Sequence, residues 1–325
     1  MNAIARRKRD LDQYRPALTL DPGRVDAFWD PQVQLAKEQP LQIRREPQTS
    51  VFPSVKTDKL IYDGLDGTPI YAWFMVPTAA AAAANGDLRK PLPCIVTFPG
   101  YTGDRGLEQR YAMWLLLGYA VLAVDARGQL GETGNRMEQD HGWTRGWVSM
   151  GLLDKERSYY MALATDVVRA VEAASRQPEV DASRIAAVGG SQGGGTALLA
   201  GALSDKVAVV AADVPNMCHL DYGVMHSTGS INEVALYLKR HPDRLEEVLD
   251  TLAHFDIMNL AHRFQAPVLM SASWKDPICP PEMIYAAYNR LEVTKQIHDY
   301  PFSGHEVGEE HTRKVIQYLQ TILGS

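Results

Sequence analysis

The sequence predicts an α/β fold: a mostly parallel central sheet with helices on both faces, entered through an N-terminal antiparallel hairpin and interrupted by one helical insertion. Three observations predict it. Fully apolar runs of strand length recur in the second and third quarters of the chain and beyond, as strands buried on both faces require. Longer segments with helical spacing of apolar residues separate these runs. One strand-to-helix junction is almost wholly glycine around a single serine, Gly189-Gly190-Ser191-Gln192-Gly193-Gly194-Gly195.

The bulk composition supports a single large folded body. Of 325 residues, 46% are hydrophobic and 22% charged, enough for a sizeable core and too apolar for a disordered chain. The expected organisation is a flexible tail over residues 1–20 followed by one domain over 21–325, with the insertion at about 215–264. A formal net charge of -6 offers no basic field for phosphate backbones or anionic lipid, so nucleic acid is not expected as a partner. No run of about 18 apolar residues occurs, so no membrane span is expected. Cys94, Cys218 and Cys279 are odd in number and far apart, which predicts reduced core thiols, neither a disulfide framework nor a zinc site. With Arg6, Arg7, Lys8 and Arg9 followed by no apolar stretch, no leader is expected and the cytoplasm is the expected compartment.

Taken in order, residues 23–38 begin a short helix whose Phe28 and Trp29 dock on the body. Lys59 to Tyr62 and Ile70 to Val76 alternate and are separated by Asp63-Gly64-Leu65-Asp66-Gly67, a hairpin with turn-forming residues between its strands. The alanine-rich stretch Thr78 to Lys90 reads as a surface loop. Parallel strands are predicted at Pro93 to Phe98, Ala120 to Val124, Ile185 to Val188, Ala208 to Ala212, Pro267 to Ser271 and Gln296 to Tyr300. Helices are predicted at Gln109 to Leu117, Ser158 to Ser175, Gly194 to Leu203, Pro281 to Leu291 and Thr312 to Leu323. Between Pro215 and Phe264 the rhythm breaks, with helical pieces at Ile231 to Lys239 and Arg244 to Leu252, which reads as a cap over the site.

The chemistry begins at Ser191. Glycines two before and two after it let a sharp turn close, so its hydroxyl stands clear at a helix N-terminus, as in the nucleophile elbow of the α/β-hydrolase fold. A serine oxygen is a poor nucleophile near neutral pH, so a histidine base and an acid that orients it must follow in the chain. Asp276, in Trp274-Lys275-Asp276-Pro277 after the strand ending at Ser271, is the expected acid, and Asp256 is a reserve. His305, on the loop after the last strand, is the expected base; His311 belongs to the following helix. His141, His219, His226, His241, His254, His262 and His298 are expected as surface or cap residues. The oxyanion of acyl transfer needs two backbone N–H donors, expected from Gln192 and from Tyr101 in Pro99-Gly100-Tyr101-Thr102-Gly103.

Several blocks together resemble carbohydrate esterase family 7, the acetyl xylan esterases and cephalosporin C deacetylases. They are Asp125-Ala126-Arg127-Gly128-Gln129, the glycine-rich Ser191 turn, Asp213-Val214-Pro215, Trp274 to Pro281 and Gly304-His305-Glu306. The resemblance implies removal of small acyl groups, chiefly acetyl, from hydroxyls of sugars or cephalosporin-like molecules, with no metal or organic cofactor. It implies triad roles for Ser191, Asp276 and His305, oxyanion roles for the amides of Tyr101 and Gln192, supporting roles for Arg127 and Gln129, and a place for Pro215 near the acyl pocket. It also implies a homo-oligomer, in the family a hexamer. Here the chain departs from the family's usual RGQGSG and longer insertion: Gln129 is followed by Leu130-Gly131-Glu132-Thr133-Gly134 and a short stretch containing Trp143 and Trp147. A peptidase or broader-chain carboxylesterase or lipase of the same fold is the alternative expectation, and a non-enzymatic scaffold a further one.

Overall fold

A computed structural model describes residues 2–78 and 91–324. One nine-stranded sheet runs through it, in the order β1-β2-β3-β5-β4-β6-β7-β8-β9. The strands are β1 (Arg44–Gln48), β2 (Val55–Asp63), β3 (Pro69–Pro77), β4 (Leu92–Phe98), β5 (Ala120–Val124), β6 (Val180–Gly190), β7 (Val207–Asp213), β8 (Val268–Ser273) and β9 (Lys295–Tyr300). The first three are antiparallel and join β5 antiparallel, whereas β5, β4, β6, β7, β8 and β9 are mutually parallel.

Alternate residues of the buried strands feed two separate apolar layers. On β5, Ala120, Leu122 and Val124 enter one layer and Val121 and Ala123 the other. The first layer is closed by helices α2 (Pro22–Glu38), α4 (Tyr159–Ser175) and α5 (Gln192–Leu203), the second by α3 (Ala112–Leu116) and α11 (Glu309–Leu323). This is the physical reason those strands read as continuous apolar runs: both faces leave water. The interval between β7 and β8 carries α6 (Leu220–His226), α7 (Asn232–Arg240), α8 (Leu245–Ala253) and α9 (Ile257–Leu260), and α10 (Pro281–Tyr288) follows β8.

Three expectations change. The expected tail over residues 1–20 is, from residue 2 on, an ordered segment: it contains helix α1 (Ala3–Asp12), whose N-cap Asn2 accepts from the Ala5 N–H at 2.9 Å. Leu11 and Leu20 are buried, Asn289 donates to the carbonyls of Leu11 and Tyr14, and Arg7 pairs with Glu282 at 2.6 Å. Arg7 and Lys8 of the basic cluster thus anchor the segment against α10. Strand β1 escaped the sequence reading because Arg44-Arg45-Glu46-Pro47-Gln48 has no apolar alternation; it is an edge strand held by Arg45, which bridges Asp58 and Glu179. The helix expected at Gln109 to Leu117 is a 3₁₀ turn at Glu108–Tyr111 followed by the short α3. The stretch Thr78 to Lys90, read as a surface loop, lies outside the described residues after Thr78.

Candidate active site

The parallel strands end together on one side of the sheet, and the turn after β6 carries Ser191 there. Ser191 adopts φ 57°, ψ -121°, a region costly for a residue with a side chain by about 1–3 kcal/mol. The turn closes because of its glycines. A Cβ at Gly189 would lie 2.3 Å from the Gly193 carbonyl oxygen, and one at Gly193 would lie 2.2 Å from that of Phe98. The strained serine is tied on both sides: its N–H donates to the Asp213 carbonyl at 2.9 Å, and its carbonyl accepts from Asn216 at 3.0 Å.

The loops after β8 and β9 bring Asp276 and His305 to this turn. His305 Nε2 lies 2.8 Å from Ser191 Oγ, and His305 Nδ1 lies 2.7 Å from Asp276 Oδ2. The second carboxylate oxygen, Oδ1, accepts the N–H groups of Ile278 at 2.8 Å and Cys279 at 2.9 Å, so the acid is held while one oxygen faces the imidazole. The Asp276 side chain is fully buried and that of His305 is 21% exposed, an arrangement that orients the ring and leaves its outer nitrogen reachable. Such a chain can take a proton from the serine hydroxyl and stabilise the imidazolium that results.

Tyr101 stands on the loop after β4. Neither its backbone N–H nor that of Gln192 has an acceptor among the described residues, as two oxyanion donors require. Gln129 joins these two places: its Oε1 accepts the Thr102 N–H at 2.8 Å, and its Nε2 donates to Gln192 Oε1 at 2.9 Å and to the Tyr159 hydroxyl at 2.8 Å. Thr102 has φ 63°, so this anchor holds a backbone that would otherwise relax. Arg127 lies one layer further away. Its buried guanidinium grips both oxygens of Asp166, at 2.6 and 2.7 Å, and reaches Asp66 at 2.8 Å. Burial works against its charge, yet the two carboxylates raise its pKa further above its ordinary value. Its carbonyl accepts from the Tyr159 hydroxyl at 2.7 Å, which links the ion cluster to Gln129. Pro215 packs on the first turn of α5, where a Cβ on Gly194 would stand 3.1 Å from the proline Cα.

Asp256, the reserve acid, is excluded by its surroundings. It accepts the N–H groups of His219, Leu220 and Met258 inside the insertion and has no histidine partner. Burial pushes its carboxyl up to about 7. His219 and His254 are buried in the insertion, while His141, His226, His241 and His262 are exposed. Of the two tryptophans after Gln129, Trp143 is exposed and Trp147 packs edge-on against Tyr101, with ring centroids 5.4 Å apart.

Two features escaped the sequence reading. Cys279 is a buried core thiol as expected, yet its sulfur also neighbours Ser191, and burial, then the charge of Asp276, raises its pKa well above the ordinary value. Its spacing after Asp276, within one turn of chain, was the available signal. Asp276, Cys279 and His305 form the one group among the described residues that resembles a metal-ligand set. Both oxygens of Asp276 and both nitrogens of His305 already have partners, which fits a proton relay better than a cation site. The second feature is a pair at the back of the serine turn, the buried His311 with the partly exposed Asp213.

The architecture matches solved esterases. An acetyl xylan esterase from Paenibacillus sp. R4 superposes with a TM-score of 0.91 and 35% identity, covering 97% of this chain and 99% of the other. Acetyl xylan esterase 1 from Thermoanaerobacterium sp. JW/SL YS485 gives a TM-score of 0.89 at 24% identity over 97% and 98% of the two chains, a likeness of fold. Among curated sequences, the acetyl esterase Axe7A of Xylanibacter ruminicola is 23% identical over 309 residues, 88% of this chain; the chain spans 64% of that protein's length. The family model described as acetyl xylan esterase (AXE1) matches residues 1–322. With an α/β-hydrolase architecture and a Ser191–His305–Asp276 relay in place, the chain belongs to the acetyl xylan esterase family.

Proposed function

We propose that this chain is a serine esterase that removes small acyl groups, chiefly acetyl, from hydroxyls of sugars or cephalosporin-like molecules. The observation that carries the reading is the continuous relay from Ser191 Oγ through His305 to a buried, doubly anchored Asp276. His305 takes the serine proton as Oγ attacks the ester carbonyl, and the amides of Tyr101 and Gln192 receive the oxyanion. Collapse of this intermediate, with a proton returned by His305, expels the sugar hydroxyl and leaves an acetyl-enzyme. Water, deprotonated by His305, then attacks that ester; acetate leaves and the proton returns to Ser191. Arg127 and Gln129 position the loops and carry no proton, since a guanidinium is no base near neutral pH.

The acetyl preference is supported by the names of the relatives, an acetyl esterase and an acetyl xylan esterase. The proposal extends to a homo-oligomer, as the family resemblance implies, and to the cytoplasm, where the three unpaired buried thiols would stay reduced. The test is acetate release from acetylated xylo-oligosaccharides and cephalosporin C, with 4-nitrophenyl esters from acetyl to octanoyl beside them. A sharp fall beyond propionyl, and loss of turnover by about 10³-fold or more in Ser191→Ala, are expected. Full activity in Ser191→Ala would sink the mechanism, and a rise toward octanoyl would replace it with a lipase reading.

A further inference from the structure

We propose that Glu233, in the inserted segment, is a positioning residue for acyl transfer: by holding the phenol of Tyr101 it sets the direction of the Tyr101 amide. The proposal rests on the oxyanion role given to that amide above. It makes the insertion part of the catalytic geometry, where otherwise it would be only a cover.

Glu233 lies in the first turn of α7. The Tyr101 hydroxyl donates to its Oε1 at 2.7 Å and accepts from the backbone N–H of Trp147 at 2.8 Å. The tyrosine ring is meanwhile braced edge-on by the Trp147 indole. The same residue is therefore gripped at two ends. Gln129 holds the peptide just after it through the Thr102 N–H, and Glu233 holds the tip of its side chain. Two anchors from different parts of the chain define the orientation of the peptide between them, which one anchor cannot do.

The surroundings are shaped around the carboxylate. Gly146 has φ 90°, and a Cβ there would stand 2.0 Å from Glu233 Oε1 and 2.4 Å from Oε2, so only glycine leaves room. The Thr144 hydroxyl reaches the Glu233 carbonyl at 3.2 Å, which fastens the segment before Trp147 to α7. Stability alone does not explain the placement. The Oε2 atom is buried without a hydrogen-bond partner among the described residues, and burial, outweighing the hydrogen bond from Tyr101, raises the carboxyl pKa. A group kept in a costly position commonly serves function.

The test uses the full chain and 4-nitrophenyl acetate. Glu233→Ala and Tyr101→Phe are each expected to lower kcat about 10- to 100-fold, short of deleting an oxyanion donor, with KM changed less than about twofold. The double variant should be no worse than the poorer single one, because both changes break one interaction. Glu233→Gln keeps a carbonyl oxygen for the phenol and should recover to within about threefold of wild type, with the melting temperature of all variants measured alongside. Wild-type kcat in Glu233→Ala, a raised KM with kcat unchanged, multiplied losses in the double variant, or no recovery in Glu233→Gln would overturn the proposal. Ser191→Ala separates the two levels. If it remains active, the serine esterase reading falls; if it is dead while Glu233→Ala is unimpaired, only the role of Glu233 falls.

Discussion

His305 and His311 stand close together after the same strand, and each puts one ring nitrogen on an aspartate. His305 Nδ1 is 2.7 Å from Asp276, and His311 Nε2 is 2.5 Å from Asp213. Their other nitrogens face different worlds. That of His305 meets the hydroxyl of a strained, glycine-flanked serine, and its side chain is 21% exposed. That of His311 meets the Tyr300 hydroxyl at 2.8 Å, and its side chain is wholly buried. An aspartate–histidine pair is therefore not in itself a catalytic device. It becomes one where its free nitrogen meets a nucleophile in reach of substrate and water; elsewhere the same chemistry is a clamp, here fastening α11 to the end of β7 behind the serine turn.

The largest effect is expected at His305. His305→Ala should lower kcat for 4-nitrophenyl acetate by about 10³- to 10⁶-fold without unfolding the protein, and Asp276→Asn by about 10⁴-fold. A loss under tenfold at His305, read by steady-state kinetics, would erase the distinction. His311→Phe is expected to act in the opposite sense. Leaving Asp213 and the Tyr300 hydroxyl without their partner should cost about 2 kcal/mol and lower the melting temperature by roughly 4–8 °C, with kcat within about threefold of wild type. A fall in kcat as deep as that of His305→Ala, with the melting temperature unchanged, would give His311 a catalytic part.

The smallest effect belongs to the third carboxylate, Asp256, which has no histidine. Burial pushes its carboxyl from an ordinary 3.8 up to about 7, so the folded protein holds this proton more tightly than the unfolded chain. Its contribution to stability is therefore complete below about pH 4 and is lost as the pH rises to about 7. Asp256→Asn should flatten the decline in melting temperature over that window while kcat stays within twofold. An unchanged slope in differential scanning fluorimetry would count against the buried proton.

The parallel strands and the serine turn were legible because their signals are local. Ile185 to Val188 is apolar on both faces, and the glycines around Ser191 form one unbroken cluster in the sequence, although what crowds Gly193, Gly194 and Gly195 is distant backbone at Phe98, Asp213 and Asn216. The order serine, acid, histidine followed from that turn together with two later strand-ending loops, one after the apolar β8 and one after the mixed β9. Helix α1 leaves little trace in the sequence because it is polar; its order comes from Glu282, Asn289 and Asp299, all far along the chain. Strand β1 is silent in the sequence for the same reason, since Arg45 finds its carboxylates far away, at Asp58 on β2 and at Glu179 in the turn before β6.

By itself, then, the sequence determined the fold class, the nucleophile turn and the three residues of the relay, because apolar periodicity and a glycine-rich serine turn are written in short stretches of chain. Only the tertiary structure decided that His311 is a clamp, that Asp256 is isolated from any base, and that Glu233 grips Tyr101 across 132 positions of sequence. Hydrogen bonds between such distant side chains leave no periodic trace, since either partner alone is an ordinary polar residue until the fold brings the other to it.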